Sequence, residues 1–293
     1  MNPIKFVWRN ILARKYLWQY FSEVGKIWDD RLKETLAFAE EGSVKSDYSS
    51  SIAYLRENGS TFYPYEGNIW GKRPLLLKYP IFWNGQDETY MYYKGKKIWC
   101  KFRPFVGIIV EQDKRSPHRY FTDSFHVEEG EIFVDVGAAE GMISLDSIDK
   151  VKKAYLIEGN EESWKGPLEK TFSPYKEKTN IIYKFAADHC DAENISLDEL
   201  LKDDMEAKGI MVKMDVEGNE MNVLRGAERL LQRDNVRFAV CTYHQEGDEE
   251  KLQRFFEERG YQTEFSDGYM WVPLFSEKAP YLRKGVLRAW KNA

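Results

Sequence analysis

The sequence predicts a doubly wound α/β sheet from about Gly130 onward. Five apolar runs recur there, separated by polar segments of helix length, and the first run turns through a glycine-bounded loop into a helix. Five strands joined by crossovers imply a parallel sheet. After a helix at about Asp248 to Arg259, Gln262 to Phe265 and Tyr269 to Pro273 flank Ser266-Asp267-Gly268, so the sheet is expected to close on a hairpin with an antiparallel last strand.

The first run lies in EIFVDVGAAEGMISL, Glu131 to Leu145. Ile132, Phe133, Val134 and Val136 read as a buried parallel strand interrupted by Asp135, and Gly137, Ala138, Ala139, Glu140 and Gly141 form the turn. Ligands of such sheets bind beyond the carboxyl ends of the strands. The loop has neither the G-x-G-x-x-G of a dinucleotide site nor the lysine of a phosphate loop. Being acidic and lysine-free, it repels phosphate and suits a ligand with ammonium or sulfonium charge.

The second run, Ala154 to Ile157, ends at Glu158, 23 positions after Asp135. An acid there can accept hydrogen bonds from a ribose diol. Ribose without pyrophosphate matches S-adenosylmethionine. Past the third run, Ile181 to Phe185, stands Asp188 beside His189, either an adenine contact or a helix-cap aspartate.

The fourth run, Ile210 to Met214, leads into KMDVEGNEMNVLRGAERLL, which crowds Lys213, Asp215, Glu217 and Glu220 at a strand end. Asp215 and Glu217 can orient a methionine ammonium, position an acceptor hydroxyl or hold a metal ion. The fifth run, Val236 to Cys241, continues into CTYHQE, so His244 is expected at the same crevice as Asp215, as a base for an acceptor hydroxyl or as a structural histidine. RSPHRYF, with His118, Arg119 and Tyr120, precedes the first strand and can contact an acceptor or position the chain.

DVGAAEGMISL, the acid of LIEGN, SLDELL at Ser196 to Leu201 and KMDVEGNEMNVLRGA together resemble the FkbM family of S-adenosylmethionine-dependent methyltransferases, over about Gly130 to His244. The resemblance implies a class I methyltransferase (Rossmann-like) sheet of seven strands with an antiparallel last strand. It also implies methyl transfer, usually to a hydroxyl of a sugar or sugar-derived product. By that resemblance Asp135, Gly137 and Gly141 would belong to the cofactor loop and Glu158 to the ribose contact; Ala138 and Glu140 of the loop, like Asp188, are further candidate cofactor contacts. The family more often has Asn and Ile where this chain has Ala139 and Glu140.

The other regions read differently. Residues 3 to 41 carry helical periodicity, and a serine-rich break follows from Gly42 to Ser51. From Ile52 to Phe121 come short β-prone runs: Leu75 to Leu77, Ile81 to Trp83, Val106 to Val110, and a hairpin of Thr89 to Tyr93 with Lys97 to Lys101. Aromatics make up 15% of the chain and crowd into the first 130 residues, as core or as a face for sugars. The expected organisation is an accessory helix and β-region over 1–128, the methyltransferase domain over 129–275 and a basic tail over 276–293. From Tyr281 on, Arg283, Lys284, Arg288 and Lys291 stand without an acid, so that end reads as a docked terminal helix or as a membrane or acidic-partner contact.

A net charge of -5 excludes a general attraction to nucleic acid. Cys100, Cys190 and Cys241 make neither a disulfide framework nor a metal spacing and fit a reducing cytoplasm, and no metal site is assigned. No window is long and apolar enough to span a bilayer. The function expected is O-methylation of a sugar, glycan or related natural product. A non-catalytic glycan-binding or assembly protein on the same fold is the alternative.

Overall fold

Seven strands build the sheet that carries the motifs. They are β1 (Ile132–Val136), β2 (Lys153–Ile157), β3 (Thr179–Ile182), β4 (Ile210–Met214), β5 (Val236–Cys241), β6 (Gln262–Phe265) and β7 (Val286–Trp290). The order across the sheet is β3-β2-β1-β4-β5-β7-β6. β7 is antiparallel to both of its neighbours, and the other pairings are parallel. This is the class I, Rossmann-like methyltransferase arrangement. The computed structural model describes residues 28–42, 45–68, 82–83, 88–101, 110–204 and 206–292.

β1 and β4 are buried at every residue, as central strands covered on both faces must be. The helices of the sheet unit include α1 (Met142–Ser147), α2 (Glu161–Phe172), α3 (Leu197–Leu200), α4 (Glu220–Arg225), α5 (Glu228–Leu231) and α6 (Asp248–Glu257). Asn160 caps α2, its side chain accepting from the Ser163 N–H at 3.0 Å. α6 buries Leu252, Phe255 and Phe256, and Phe256 stacks against Phe238 of β5 with ring centroids 5.2 Å apart.

The closing hairpin is not formed. β6 pairs with β7, whereas Met270–Trp271 pairs with Leu282–Arg283. The physical reason is burial: Trp271 is fully enclosed in a cluster with Ile52, Leu55, Tyr269, Tyr281 and Leu282, and its indole N–H donates to Thr35 Oγ1 at 2.9 Å. Residues read as a basic tail therefore include a sheet strand rather than a terminal helix, and Arg288 is buried there. Because β7 lies between β5 and β6 in the sheet, a chain ending at Gly285 should lose cooperative unfolding in a circular-dichroism melt. A truncated chain that melts like the full one would show that β7 is dispensable.

The chain divides into two units, Tyr120–Phe265 with Val286–Ala293 forming the sheet unit, and Met1–Arg119 with Ser266–Gly285 forming the other. In the latter, 28–40 is helical, as the periodicity predicts for that part, and helix Ser49–Asn58 follows. Glu88–Tyr93 and Lys96–Lys101 form the expected hairpin about Lys94-Gly95, and Phe82–Trp83 adds a third strand. The run at Leu75 to Leu77 and residues 3 to 27 lie outside the described residues, as do 106–109, while Val110 is helical. No helix among the described residues is long and apolar enough to cross a membrane.

Candidate active site

The site grows from one pairing in the middle of the sheet. Parallel register puts Asp135 of β1 opposite Lys213 of β4, so the two side chains share a face. Lys213 Nζ lies 3.1 Å from Asp135 Oδ1 and donates to the Gly137 carbonyl at 2.6 Å. Ser144 of α1 donates to Asp135 Oδ2 at 2.7 Å. Burial pushes the Lys213 pKa down, but the charges of Asp135 and Asp215 outweigh it and hold the ammonium above the usual lysine range. Asp135, 1% exposed, thus ties the loop to β4 and α1 and supports the site from below.

The loop above this pair winds through left-handed backbone at Gly137, Ala139 and Gly141. Glu158, at the end of β2, binds it: its Oε2 accepts from the Ala139 N–H at 2.9 Å and its Oε1 from the Asn160 N–H at 2.8 Å. Each oxygen keeps a second lone pair, so Glu158 can still receive a diol at the strand end. Ala138 is buried and Glu140 half-buried. Asp188 is exposed and paired with His189 at 2.7 Å, a hydrogen bond that lowers its pKa. It sits in the turn before the short strand Asn194–Ile195.

At the ends of β4 and β5 the acids close around one imidazole. His244 Nδ1 is 2.9 Å from Glu220 Oε1, and its Nε2 is 3.3 Å from Asp215 Oδ1 and 3.5 Å from Glu217 Oε2. Burial pushes the His244 pKa down, yet the Glu220 hydrogen bond and the charges of Asp215, Glu220 and Glu217 leave it raised. Glu217 adopts a left-handed conformation (φ 54°) ahead of Gly218, which folds the loop back toward the ring. Strain of this kind concentrates at functional sites.

Tyr120 donates its hydroxyl to Asp215 Oδ2 at 2.7 Å and lies 3.3 Å from Cys241 Sγ. It is 1% exposed, so it fixes Asp215 from behind. Arg288 of β7 holds the Tyr120 carbonyl at 2.9 Å. His118 and Arg119 belong to the other unit, where His118 Nδ1 meets Glu111 at 2.8 Å and Arg119 donates to the Lys114 carbonyl at 3.4 Å. The structure thus joins Asp215, Glu217, His244 and Tyr120 in one site and links Glu158 to the glycine loop. Sequence reasoning missed Cys241 and Arg288 as parts of its frame. Their one signal was a polar or thiol residue within an otherwise apolar run.

The strand order and the two strand-end constellations define a domain of the methyltransferase class. Residues 132–263 match the family model described as the Methyltransferase FkbM domain. This segment is an FkbM-family methyltransferase domain. Among solved structures, the chain is similar to methyltransferase FkbM from Methylobacillus flagellatus, at 19% identity over 58% of this chain and 46% of that one, with a TM-score of 0.46. It is also similar to a precorrin-6y C5,15-methyltransferase from Geobacter metallireducens (14%, 57% and 82%, 0.39) and to the tRNA m1G37 methyltransferase of M. jannaschii (14%, 71% and 56%, 0.43). The chain therefore spans less than half the length of the Methylobacillus protein. No curated protein matches the chain.

Proposed function

We propose that the protein is an S-adenosylmethionine-dependent O-methyltransferase that acts on a hydroxyl of a sugar, glycan or related natural product. The observation that carries this reading is the pair of adjacent strand ends. One pair, β1 and β2, offers a lysine-free glycine loop and a carboxylate suited to a diol, and the other, β4 and β5, offers acids about an imidazole. The donor chemistry fits the cofactor: Glu158 receives the ribose hydroxyls, Gly137 to Gly141 let its backbone approach, and Asp188 is the nearest acid in sequence for the adenine. When bound, S-adenosylmethionine supplies a methyl group already activated on sulfur. What this chain must add is position. Asp215, Glu217 and His244 form a polar wall that orients the acceptor hydroxyl and receives the proton it releases, and Tyr120 holds Asp215 in place.

A sugar acceptor is supported by the hairpin of the other unit, which carries Tyr90 and Trp99 with ring centroids 4.7 Å apart and an exposed Tyr92. Cys100, Cys190 and Cys241 form no disulfide, which supports a cytoplasmic location.

Calorimetry with S-adenosylhomocysteine tests the cofactor assignment. Binding should occur, and Glu158→Ala should weaken it about 10- to 100-fold, since a hydrogen bond to a charged group contributes roughly 1.5–3 kcal/mol. His244→Ala should spare that binding and remove methyl transfer from labelled cofactor to glycan extracts. Absence of binding to the wild-type chain would refute the proposal.

A further inference from the structure

We propose that His244, Asp215 and Glu217 form a site for a first-row divalent cation, with Glu220 as the carboxylate that orients the imidazole. One ligand atom each from Asp215, Glu220 and His244 lies within 4.8 Å of the others. The finer geometry separates their roles. His244 Nε2 stands 3.3 Å from Asp215 Oδ1 and 3.5 Å from Glu217 Oε2. Two donors bound to one ion at about 2.0–2.2 Å in tetrahedral geometry are separated by roughly 3.3–3.6 Å, and each carboxylate stands at that spacing from Nε2.

The second, independent observation is Glu220. Its side chain is 2% exposed, it accepts from the Val216 N–H at 3.2 Å and meets His244 Nδ1 at 2.9 Å with Oε1, and its buried Oε2 makes no hydrogen bond. A buried carboxylate with an unpartnered oxygen is costly unless its charge is balanced nearby. The balancing charge reaches Glu220 through the ring it contacts, as a proton on that ring or as a cation held by it. A cation on Nε2 supplies it and makes Glu220–His244–metal the familiar carboxylate–histidine–metal relay, in which the outer acid fixes the tautomer and raises ligand basicity.

Nitrogen with carboxylate donors favours zinc, cobalt or manganese over the all-oxygen shells of calcium or magnesium. With the ion in place of a ring proton, the exposed Glu217 has a second oxygen with which to receive the acceptor's proton. The site does not depend on the identity of the acceptor, and its test does not use methyl transfer.

The test is calorimetric titration of Zn²⁺ into the untagged, metal-stripped full chain, with the visible spectrum of the Co²⁺ form as a report on coordination. One ion per chain is expected, with Co²⁺ bands of a four-coordinate nitrogen and oxygen site. His244→Ala should lower affinity more than 100-fold and Glu220→Gln about 10- to 100-fold. Glu217→Ala changes a side chain 77% exposed and so keeps the fold; it should weaken binding about tenfold. No saturable Zn²⁺ binding, or binding that Glu217→Ala and His244→Ala leave unchanged, would overturn the proposal. S-adenosylhomocysteine binding that persists without Zn²⁺ binding would do so while leaving the methyltransferase reading intact.

Discussion

Lys213→Met is expected to destabilise the sheet unit by about 3–5 kcal/mol, because it strands a buried carboxylate. Lys213 is enclosed at the centre of the sheet, and it is the ammonium beside Asp135, which is 1% exposed, in β1. It also lies 5.3 Å above the Tyr120 ring, a further electrostatic contact. Methionine fills a similar volume, so packing loss is small and the charge effect dominates. The double variant Asp135→Asn, Lys213→Met removes both charges and should recover much of the loss, giving a coupling of roughly 1–3 kcal/mol in a denaturant cycle. A Lys213→Met cost under about 1 kcal/mol, or strict additivity in that cycle, would show that the pair is not what holds the loop base together. Cofactor-analogue binding should fall with the single variant, since Lys213 also donates to the Gly137 carbonyl.

That pair shows how far the sequence was legible. IFVDV and IMVKM each place one charge fourth in a run of five, and register brings Asp135 against Lys213. Either run alone reads as a buried strand with a flaw; only the pairing reveals that each flaw answers the other. Apolar runs likewise locate β1, β4 and β5 residue for residue, because central strands must be apolar on both faces. Strand β7 escaped notice because Arg288 looks solvated in sequence, whereas its guanidinium is satisfied by a backbone carbonyl it meets only in the fold. Trp271 misled in the opposite direction. Its turn signal pointed to a local hairpin, and its burial with Ile52 and Leu55 drew it into the other unit.

The site divides along the same line. Asp215, Glu217 and His244 follow strand ends and were found from that alone, since the fold delivers every such loop to one edge of the sheet. Glu220 was seen as one of a crowd of charges. Its grip on His244 depends on the backbone reversal at Glu217 and Gly218, which no spacing rule encodes. For Tyr120 the polar loop leaves two readings, an acceptor contact or a chain-positioning residue, and the fold makes it the buried brace of Asp215.

The reversal at the first loop gives the second large effect, for Gly137→Ala. Gly137 has φ 76°, and a Cβ built there would stand 1.8 Å from the Asp215 carbonyl oxygen. That neighbour is backbone at the end of β4, fixed by the Asp215 N–H donating to the Val136 carbonyl at 2.9 Å, so it cannot swing aside. Left-handed strain of about 1–2 kcal/mol adds to an overpacking cost of about 1–3 kcal/mol. At roughly 2–4 °C per kcal/mol for a unit of this size, the melting temperature should fall by roughly 10 °C. Relief of the clash would also push Asp215 away from β1, so S-adenosylhomocysteine binding should be lost well below the melting point. Gly130→Ala is the matched control: φ is 80°, and nothing lies within 4 Å of the added carbon. It should cost only the left-handed term, about 1–2 kcal/mol, and keep analogue binding. Equal losses in the two variants would mean that conformation alone, not the close approach of β1 and β4, demands glycine at position 137.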